Sequence, residues 1–388
     1  MRNDGVLYLD NAATSWPKPE KVYQTTDAVL RSVGSPGRSD HFGSRAADRI
    51  VYNARERLTH FLGGEDPSRC VFAFSATDAL NMAMKGLLNK GDHVLTTPYE
   101  HNSVSRPLHA LAHRGLISLS EIGCHGDGTL DLVGLPGLFQ HNTRLVVCTH
   151  ASNVSGTLFP IEQIASVARK AGVLVMLDAA QTAGVYPIDV EKMGVDLLVF
   201  TGHKGLLGPQ GVGGLYVRSG INLRPWREGG TGSRSHEVLQ PKIMPDLLEA
   251  GTMNVPAIAG LEAGLEFIEE EGLTRIREHE VRLAGMLRGG LREIPCAVVH
   301  GPEDPEQGVA VVSFTLEGVD CGALGFALEE TYGILCRTGL HCAPGAHRCL
   351  GTFPEGTVRL SPGCFNTEEE GEYVLKAVRE IAEITGLT

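Results

Sequence analysis

The sequence predicts an α/β protein, with a mostly parallel sheet covered by helices and a smaller α+β unit behind it. Three observations carry that expectation. Between residues 70 and 217, short apolar runs alternate with stretches of helical periodicity. Each run stops at polar residues, as strands of a parallel sheet do where their carboxyl ends face a ligand. After about residue 256 the alternation gives way to long helices and a few short strands. The boundaries read from this are 15–256 for a large domain and 257–388 for a small C-terminal one, joined by segment 1–14.

In order, Val6 to Leu9 form an apolar segment leading into Asp10-Asn11-Ala12-Ala13-Thr14, and Trp16-Pro17-Lys18-Pro19 breaks it. A helix is expected from about Glu20 to Arg31. Gly34 to His41 read as a polar loop long enough to be functional. Ile50, Ala54, Leu58 and Phe61 recur at helical spacing and predict a helix from Ala46 to Leu62. Cys70 to Phe74 is a strand, after which Ser75-Ala76-Thr77-Asp78 opens a helix. Strands follow at Val94–Thr97, Leu116–Ile122, Leu145–Thr149 and Val173–Leu177. Ile161, Ile164, Ala165 and Ala168 mark a helix between the last two. Leu197–Phe200 and Val212–Val217 are strands flanking Thr201-Gly202-His203-Lys204 and a glycine-rich turn.

Beyond them, helices dominate Ala257–Leu291. Val309–Leu316 reads as a strand, Cys321–Tyr332 as a helix, and Ile334–Arg337 and Val358–Leu360 as short strands. Thr367-Glu368-Glu369-Glu370 is a capping-box pattern opening a last helix, with Val374, Val378 and Ile381 on one face.

Composition narrows the function. The 388 residues are 42% hydrophobic and 21% charged, ordinary for a globular chain that buries a large core. A net charge of −12 argues against a general nucleic-acid surface. No apolar run reaches the ~18 residues of a membrane span, and the first residues lack a signal-peptide core. The nine cysteines are scattered and odd in number. They read as those of a reducing cytoplasm, where each is core filler or chemistry.

Five polar elements fall at equivalent strand ends: Ser75-Ala76-Thr77, His101, Asn153, Asp178 and Lys204. Alone, Asp178 can be a helix cap, His101 a satisfied loop histidine and Lys204 a solvated surface lysine. Together they form an inventory. A lysine can hold an aldehyde as a Schiff base, and an aspartate can pair with a protonated ring nitrogen. An imidazole can stack on a ring, and a helix N-terminus can hold a phosphate. Pyridoxal 5'-phosphate needs that set.

Further segments extend the pattern along the chain. They are Leu9-Asp10-Asn11-Ala12-Ala13-Thr14, Ala76-Thr77-Asp78-Ala79-Leu80-Asn81, Glu100-His101-Asn102, Ser152-Asn153-Val154-Ser155-Gly156 and Asp178-Ala179-Ala180-Gln181. Thr201-Gly202-His203-Lys204, Glu249-Ala250-Gly251-Thr252-Met253-Asn254, Arg337-Thr338-Gly339-Leu340-His341-Cys342 and Arg359-Leu360-Ser361 follow. With these the chain resembles the class V aminotransferase-like enzymes of PLP fold type I, specifically the cysteine desulfurases and selenocysteine lyases.

The resemblance implies a seven-stranded, mostly parallel sheet and conversion of L-cysteine to L-alanine, the alternative being a selenocysteine lyase acting on L-selenocysteine or another class V enzyme. It implies Lys204 as Schiff-base lysine and Cα proton shuttle, Asp178 as pyridinium partner, and His101 as the stacking residue with a further acid–base role. Gln181 and Asn153 contact the phenolic-oxygen side of the ring and the substrate. Ala76, Thr77, Thr201 and His203 form the phosphate cup. Thr252, with Thr231 as the alternative, reaches the partner subunit's phosphate, so a homodimer with shared active sites is implied. Arg359 clamps the substrate carboxylate, a bidentate task suited to guanidinium. Asn11, Ala13 and Arg337 complete the substrate contacts.

Cys342 matches the cysteine that takes sulfur as a persulfide for an acceptor protein, in sulfur metabolism such as iron–sulfur cluster assembly. The Arg-Thr-Gly-x-His-Cys setting resembles the sulfur-mobilisation type with a short cysteine loop. Leu340 departs from it, standing where a second histidine is common, and so does Pro344-Gly345. A zinc site from His341, Cys342, His347 and Cys349 is the rival reading, but the spacings fit no zinc pattern cleanly, and no metal is expected. A core cysteine is the other, against which the flanking Gly, His and Pro suggest a loop.

Overall fold

The chain enters through strand β1 (Leu7–Tyr8) and helices α1 (Glu20–Ser32) and α2 (Phe42–Phe61) before building its central sheet. The computed structural model describes residues 5–37, 41–125 and 128–384. The sheet has seven strands: β2 (Cys70–Ala73), β3 (Asp92–Thr96), β4 (Ile117–Glu121), β5 (Thr143–Thr149), β6 (Leu174–Asp178), β7 (Leu197–Thr201) and β8 (Gly213–Val217). Their spatial order is β2-β8-β7-β6-β5-β3-β4. Only the two pairings of β8, with β7 and β2, are antiparallel. The connections carry helices α3 (Ala76–Leu87), α4 (Asn102–His113) and α6 (Ile161–Lys170), and the short turns α5 (Leu135–Leu138) and α7 (Val190–Met193).

Alternation along each strand divides the core between the two faces of the sheet. Val146, Cys148, Leu198 and Phe200 pack on one side. Leu145, Val147, Leu197 and Val199 pack on the other. Both faces are covered, so the strands read as continuous apolar runs. Gly214 is required where β8 crosses β7, because a Cβ there would collide with the Phe200 ring and the Val71 carbonyl.

The long helices α8 (Val255–Glu271) and α9 (Leu273–Arg292) lead to a second sheet. It contains β9 (Ala297–His300), β10 (Val312–Leu316), β12 (Arg337–Gly339) and β13 (Thr357–Leu360), in the order β12-β13-β10-β9. Helices α10 (Cys321–Tyr332), α11 (Pro344–Cys349) and α12 (Glu368–Ile384) complete this part. The expected capping box opens α12: Glu370 N donates to Thr367 Oγ1 at 3.3 Å, and Thr367 N donates to Glu370 Oε2 at 3.1 Å. The N-terminal segment returns here, as β1 pairs in parallel with β11 (Ile334–Leu335) and Asp10 bridges to Ser361.

Several expectations change in detail. The helix expected from Ala46 begins at Phe42, because the His41 ring caps it by accepting Ser44 N at 3.2 Å. The strand expected from Val309 begins at Val312. The residues before it are held elsewhere, Val309 N by the Gly156 carbonyl and the Val311 carbonyl by Arg288 Nη2. The polar loop 34–41 lies partly outside the described residues, at 38–40. The reading of every cysteine as core or chemistry is corrected at two of them. Cys124 and Cys349 form a disulfide joining the loop after β4 to the end of α11, 225 residues apart. Pairing over that separation leaves no spacing signal in the sequence.

One buried ion pair ties α2 to the Glu249-Ala250-Gly251-Thr252 segment. Arg55 Nη1 and Nη2 donate to the two Glu249 oxygens at 2.7 and 2.8 Å, and Phe72 N donates to Oε1 at 2.7 Å. Arg55→Met leaves the Glu249 charge buried without its counter-ion. The expected loss is about 3–5 kcal/mol of unfolding free energy in urea titrations. A loss below about 1 kcal/mol would show that the pair is not needed to hold this segment.

Candidate active site

Asp178 closes β6 in register with Thr149 of β5 and Val199 of β7. Its carboxyl is buried, and Oδ1 accepts Ala180 N at 3.0 Å. Burial raises its pKa, while the Ala180 N–H and the Lys204 charge pull it back. Lys204 stands three residues past the end of the neighbouring strand, β7. Burial lowers its amine to about 8; the Asp178 carboxylate opposes that shift, and the Arg359 and Arg337 charges add to it. The amine is therefore partly neutral near physiological pH, the form that attacks a carbonyl.

The N-terminal segment clasps the lysine loop. The His203 carbonyl accepts Ser15 N at 2.9 Å, Thr14 Oγ1 at 3.1 Å and Lys18 Nζ at 3.4 Å. Gln181 Nε2 donates to the Ala12 carbonyl at 3.1 Å. Lys204, Gln181, Asn11 and Ala12 line one cavity of about 100 Å³. Ala13 lies in the tight turn where its N–H meets the Asp10 carbonyl at 3.0 Å. The Asn11 side chain holds this turn: Nδ2 donates to the Ser361 carbonyl and Oδ1 accepts Trp16 N.

His101 caps α4. Its Nδ1 accepts Ser103 N at 3.1 Å, so the neutral ring carries its proton on Nε2. Burial first, then the charges of Lys204, Arg337, Arg106 and Arg359, push its pKa down to about 4. His203 is pushed to about 4 by burial, Lys204 and Lys18. Both rings are thus neutral at pH 7. Ser75 caps α3 by accepting Asp78 N at 3.2 Å. Ala76 and Thr77 open that helix, and Thr77 Oγ1 shares a 2.7 Å hydrogen bond with Ser103 Oγ.

The cysteine loop is bound to this assembly from two sides. Asn153 Nδ2 donates to the His341 carbonyl at 2.7 Å, and Asn102 N donates to the Cys342 carbonyl at 2.7 Å. Arg337 Nη2 lies 3.5 Å from Cys342 Sγ. His341 and Cys342 both have left-handed backbones, φ +47° and +61°. Two such non-glycine residues in succession cost about 1–3 kcal/mol each. The hydrogen bonds from Asn153 and Asn102 hold them there.

Arg359 differs from the free bidentate fork expected of it. Nη2 is paired with Asp10 Oδ1 and Nη1 donates to the Asn153 carbonyl at 3.0 Å. Nε is buried with no partner among the described residues. A buried guanidinium needs a counter-ion, and Asp10 supplies it. Asp10, Ser15, Lys18, Ser103 and Glu100 thus belong to the site's framework although the sequence assigned them no role. For Asp10 and Glu100 the signal was their place inside quoted motifs.

Thr252 does not join Lys204. It is exposed and lines a different recess with Thr231, Gly232, Arg55 and Glu249.

The residues fit pyridoxal phosphate on structural grounds. Thr201 Oγ1 and His203 Nδ1 are buried polar atoms without partners among the described residues, beside the lysine. Such atoms call for a hydrogen-bonding occupant. The α3 N-terminus suits a phosphate and the buried Asp178 a ring N–H.

A family model described as aminotransferase class-V matches residues 7–374. A cysteine desulfurase of Escherichia coli O157:H7 is 32% identical, over 98% of this chain and 94% of that protein. A cysteine desulfurase of Shigella sonnei is 33% identical with the same coverage. Among solved structures, the apo cysteine desulfurase of Thermococcus onnurineus NA1 superposes with a TM-score of 0.91 at 32% identity, covering 97% of this chain and 95% of that one. The Escherichia coli cysteine desulfurase CsdA in its S-sulfonic acid form gives 0.88 at 28% identity, covering 98% and 96%.

The lowered lysine pKa is open to direct test. Capture of pyridoxal phosphate by the apoprotein, followed by its absorbance, should quicken about tenfold per pH unit and level off above about 8. A rate still climbing at pH 10 would mark a solvated lysine.

Proposed function

This chain belongs to the class-V aminotransferase family and is a pyridoxal phosphate-dependent cysteine desulfurase, and we propose that Cys342 takes the sulfur. The observation that carries the assignment is the strained His341-Cys342 backbone, pinned to Asn153 and Asn102 with the Arg337 guanidinium beside Sγ. A cation next to sulfur is the setting a thiolate nucleophile needs.

Bound at the end of β6, pyridoxal phosphate supplies an electron sink for charge developing at the substrate Cα. The chain does the rest. Asp178 would keep the ring nitrogen protonated, and the neutral His101 ring would stack on the ring. Thr201, His203 and the Ala76-Thr77 helix start would hold the phosphate. Lys204 Nζ, poised near neutrality, takes and returns the Cα proton. The substrate carboxylate is drawn by Arg337 and by the unpartnered Arg359 Nε, with Asn153 fixing the wall. Cys342 Sγ attacks the substrate sulfur: the Cβ–S bond breaks, an S–S bond forms, and protons complete alanine. L-Cysteine and the enzyme thiol become L-alanine and an enzyme persulfide, without an external oxidant. The persulfide passes to a sulfur-acceptor protein, with iron–sulfur cluster assembly in the cytoplasm as one destination.

Cys342→Ala should keep its cofactor and still bind L-cysteine. Its turnover of L-cysteine should fall about 100-fold or more, since a held nucleophile is lost. L-Selenocysteine, whose C–Se bond is weaker, should suffer less. Mass spectrometry of the wild type after substrate should find one extra sulfur on the Cys342 peptide. Sulfur on Cys336 or Cys364 instead, or normal turnover by the variant, would refute the assignment.

Two copies are proposed to share their sites. The exposed Thr252 and half-buried Thr231, with the exposed rings of Phe74 and Phe42, support such a face. Light scattering should report a dimer. Mixing Lys204→Ala with Thr252→Ala chains should restore, in the mixed dimer, one site with both residues. A fully active monomer would overturn the shared site.

A further inference from the structure

Glu100 lies one residue before His101, in the turn between β3 and α4, and is 1% exposed. One of its oxygens does two things. Oε1 accepts Thr97 Oγ1 at 2.7 Å within its own turn, and accepts Thr149 N at 2.8 Å from the end of β5. Thr149 stands opposite Asp178 in the parallel register, and the next residue, His150, donates its N–H to the Asp178 carbonyl at 2.9 Å. A single carboxyl oxygen therefore couples the turn that carries His101 to the strand ends that carry Asp178.

We propose that Glu100 is a positioning residue, whose Oε1 sets the distance between His101 and Asp178 and so aligns the cofactor ring between its face and its nitrogen contact. The inference rests on the roles given to those two residues above.

The surroundings define the form in which Glu100 acts. The titratable groups that face it are Asp178 and Cys148, and neither is a cation. Burial raises its acid to about 8; the Thr97 and Thr149 hydrogen bonds oppose the shift and Asp178 repulsion adds to it. The carboxyl is then neutral at pH 7, which leaves Asp178 the anion that meets the ring nitrogen. What the arrangement requires of Glu100 is an acceptor oxygen at a fixed reach, not a charge. Oε2 has no partner among the described residues, so an amide nitrogen at that place breaks no existing hydrogen bond, while Oε1 keeps both of its donors.

The test uses the holoenzyme of Glu100→Gln and Glu100→Ala. Three quantities are read: bound cofactor, the pKa of the Lys204 Schiff base from its absorbance, and kcat against KM. If Asp178 drifts from the ring nitrogen, that nitrogen loses its proton and withdraws less charge, so the Schiff-base pKa rises. Glu100→Ala should raise it by about one unit and cut kcat about tenfold or more with KM little changed. Glu100→Gln should match the wild type in both. Should Glu100→Ala not fold, Glu100→Asp withdraws the same oxygen by one methylene and should shift the titration in the same direction.

A Glu100→Ala or Glu100→Asp holoenzyme with the wild-type Schiff-base pKa would overturn the proposal, even if its stability fell. So would a Glu100→Gln variant shifted as far as Glu100→Ala. Asp178→Asn is measured alongside. If it leaves the Schiff-base pKa unmoved, the ring-nitrogen role of Asp178 fails, separately from Glu100.

Discussion

The parallel register of β5, β6 and β7 is the constraint on which the site depends. Thr149 lies opposite Asp178, and Asp178 lies opposite Val199. A shift of one residue in either ladder would turn Asp178 to the other face of the sheet. The register is held by apolar residues alternating between two covered faces, so core packing and active-site geometry are one problem. The strands end together, and the polar groups just beyond them have only each other and a ligand to meet.

Electrostatics follow from that convergence. Lys204, Arg337 and Arg359 crowd a small volume, with Asp10 and Asp178 as their counter-charges. Burial first, and then the excess of positive charge, keeps His101 and His203 neutral. It also leaves the site short of anions, a shortage that a phosphate and a substrate carboxylate relieve. The Asp10–Arg359 pair has a second consequence. It anchors the first residues of the chain to a strand of the second sheet, close to the Asn11–Lys18 turn that clasps the lysine loop. The N-terminal segment thus joins the two sheets through the site itself.

The cysteine loop shows how a weak element is made definite. Its left-handed residues are unfavourable in isolation. They are held from the large sheet by Asn153 and Asn102, while Gly345 packs so closely on the Pro98 carbonyl that no side chain fits there. Just beyond, Cys349 is bonded to Cys124. The segment that follows Cys342 is therefore fastened at Gly345 to the turn that carries Glu100 and His101, and at Cys349 to the loop after β4.

By itself the sequence determined the alternation of strands and helices and the strand ends bearing His101, Asn153, Asp178 and Lys204. It also determined the motif that marks Cys342. These are local: period-2 and period-3.6 patterns, turn residues and short motifs are written in neighbouring positions. Only the tertiary structure decided that Asp10 occupies Arg359, that Asn11 serves the turn rather than standing free, and that Glu100 bridges two strand ends. It also decided that Cys124 meets Cys349 and that Thr252 stands away from the Lys204 of its own chain. Each depends on groups far apart in the chain, such as Glu100 and Thr149 at 49 residues, Asp10 and Arg359 at 349 and Asn11 and Ser361 at 350, or on a burial that no local pattern records. Desolvation and pairing across such separations arise only once the sheets have packed, and there the lysine acquires its lowered pKa and the carboxylates their partners.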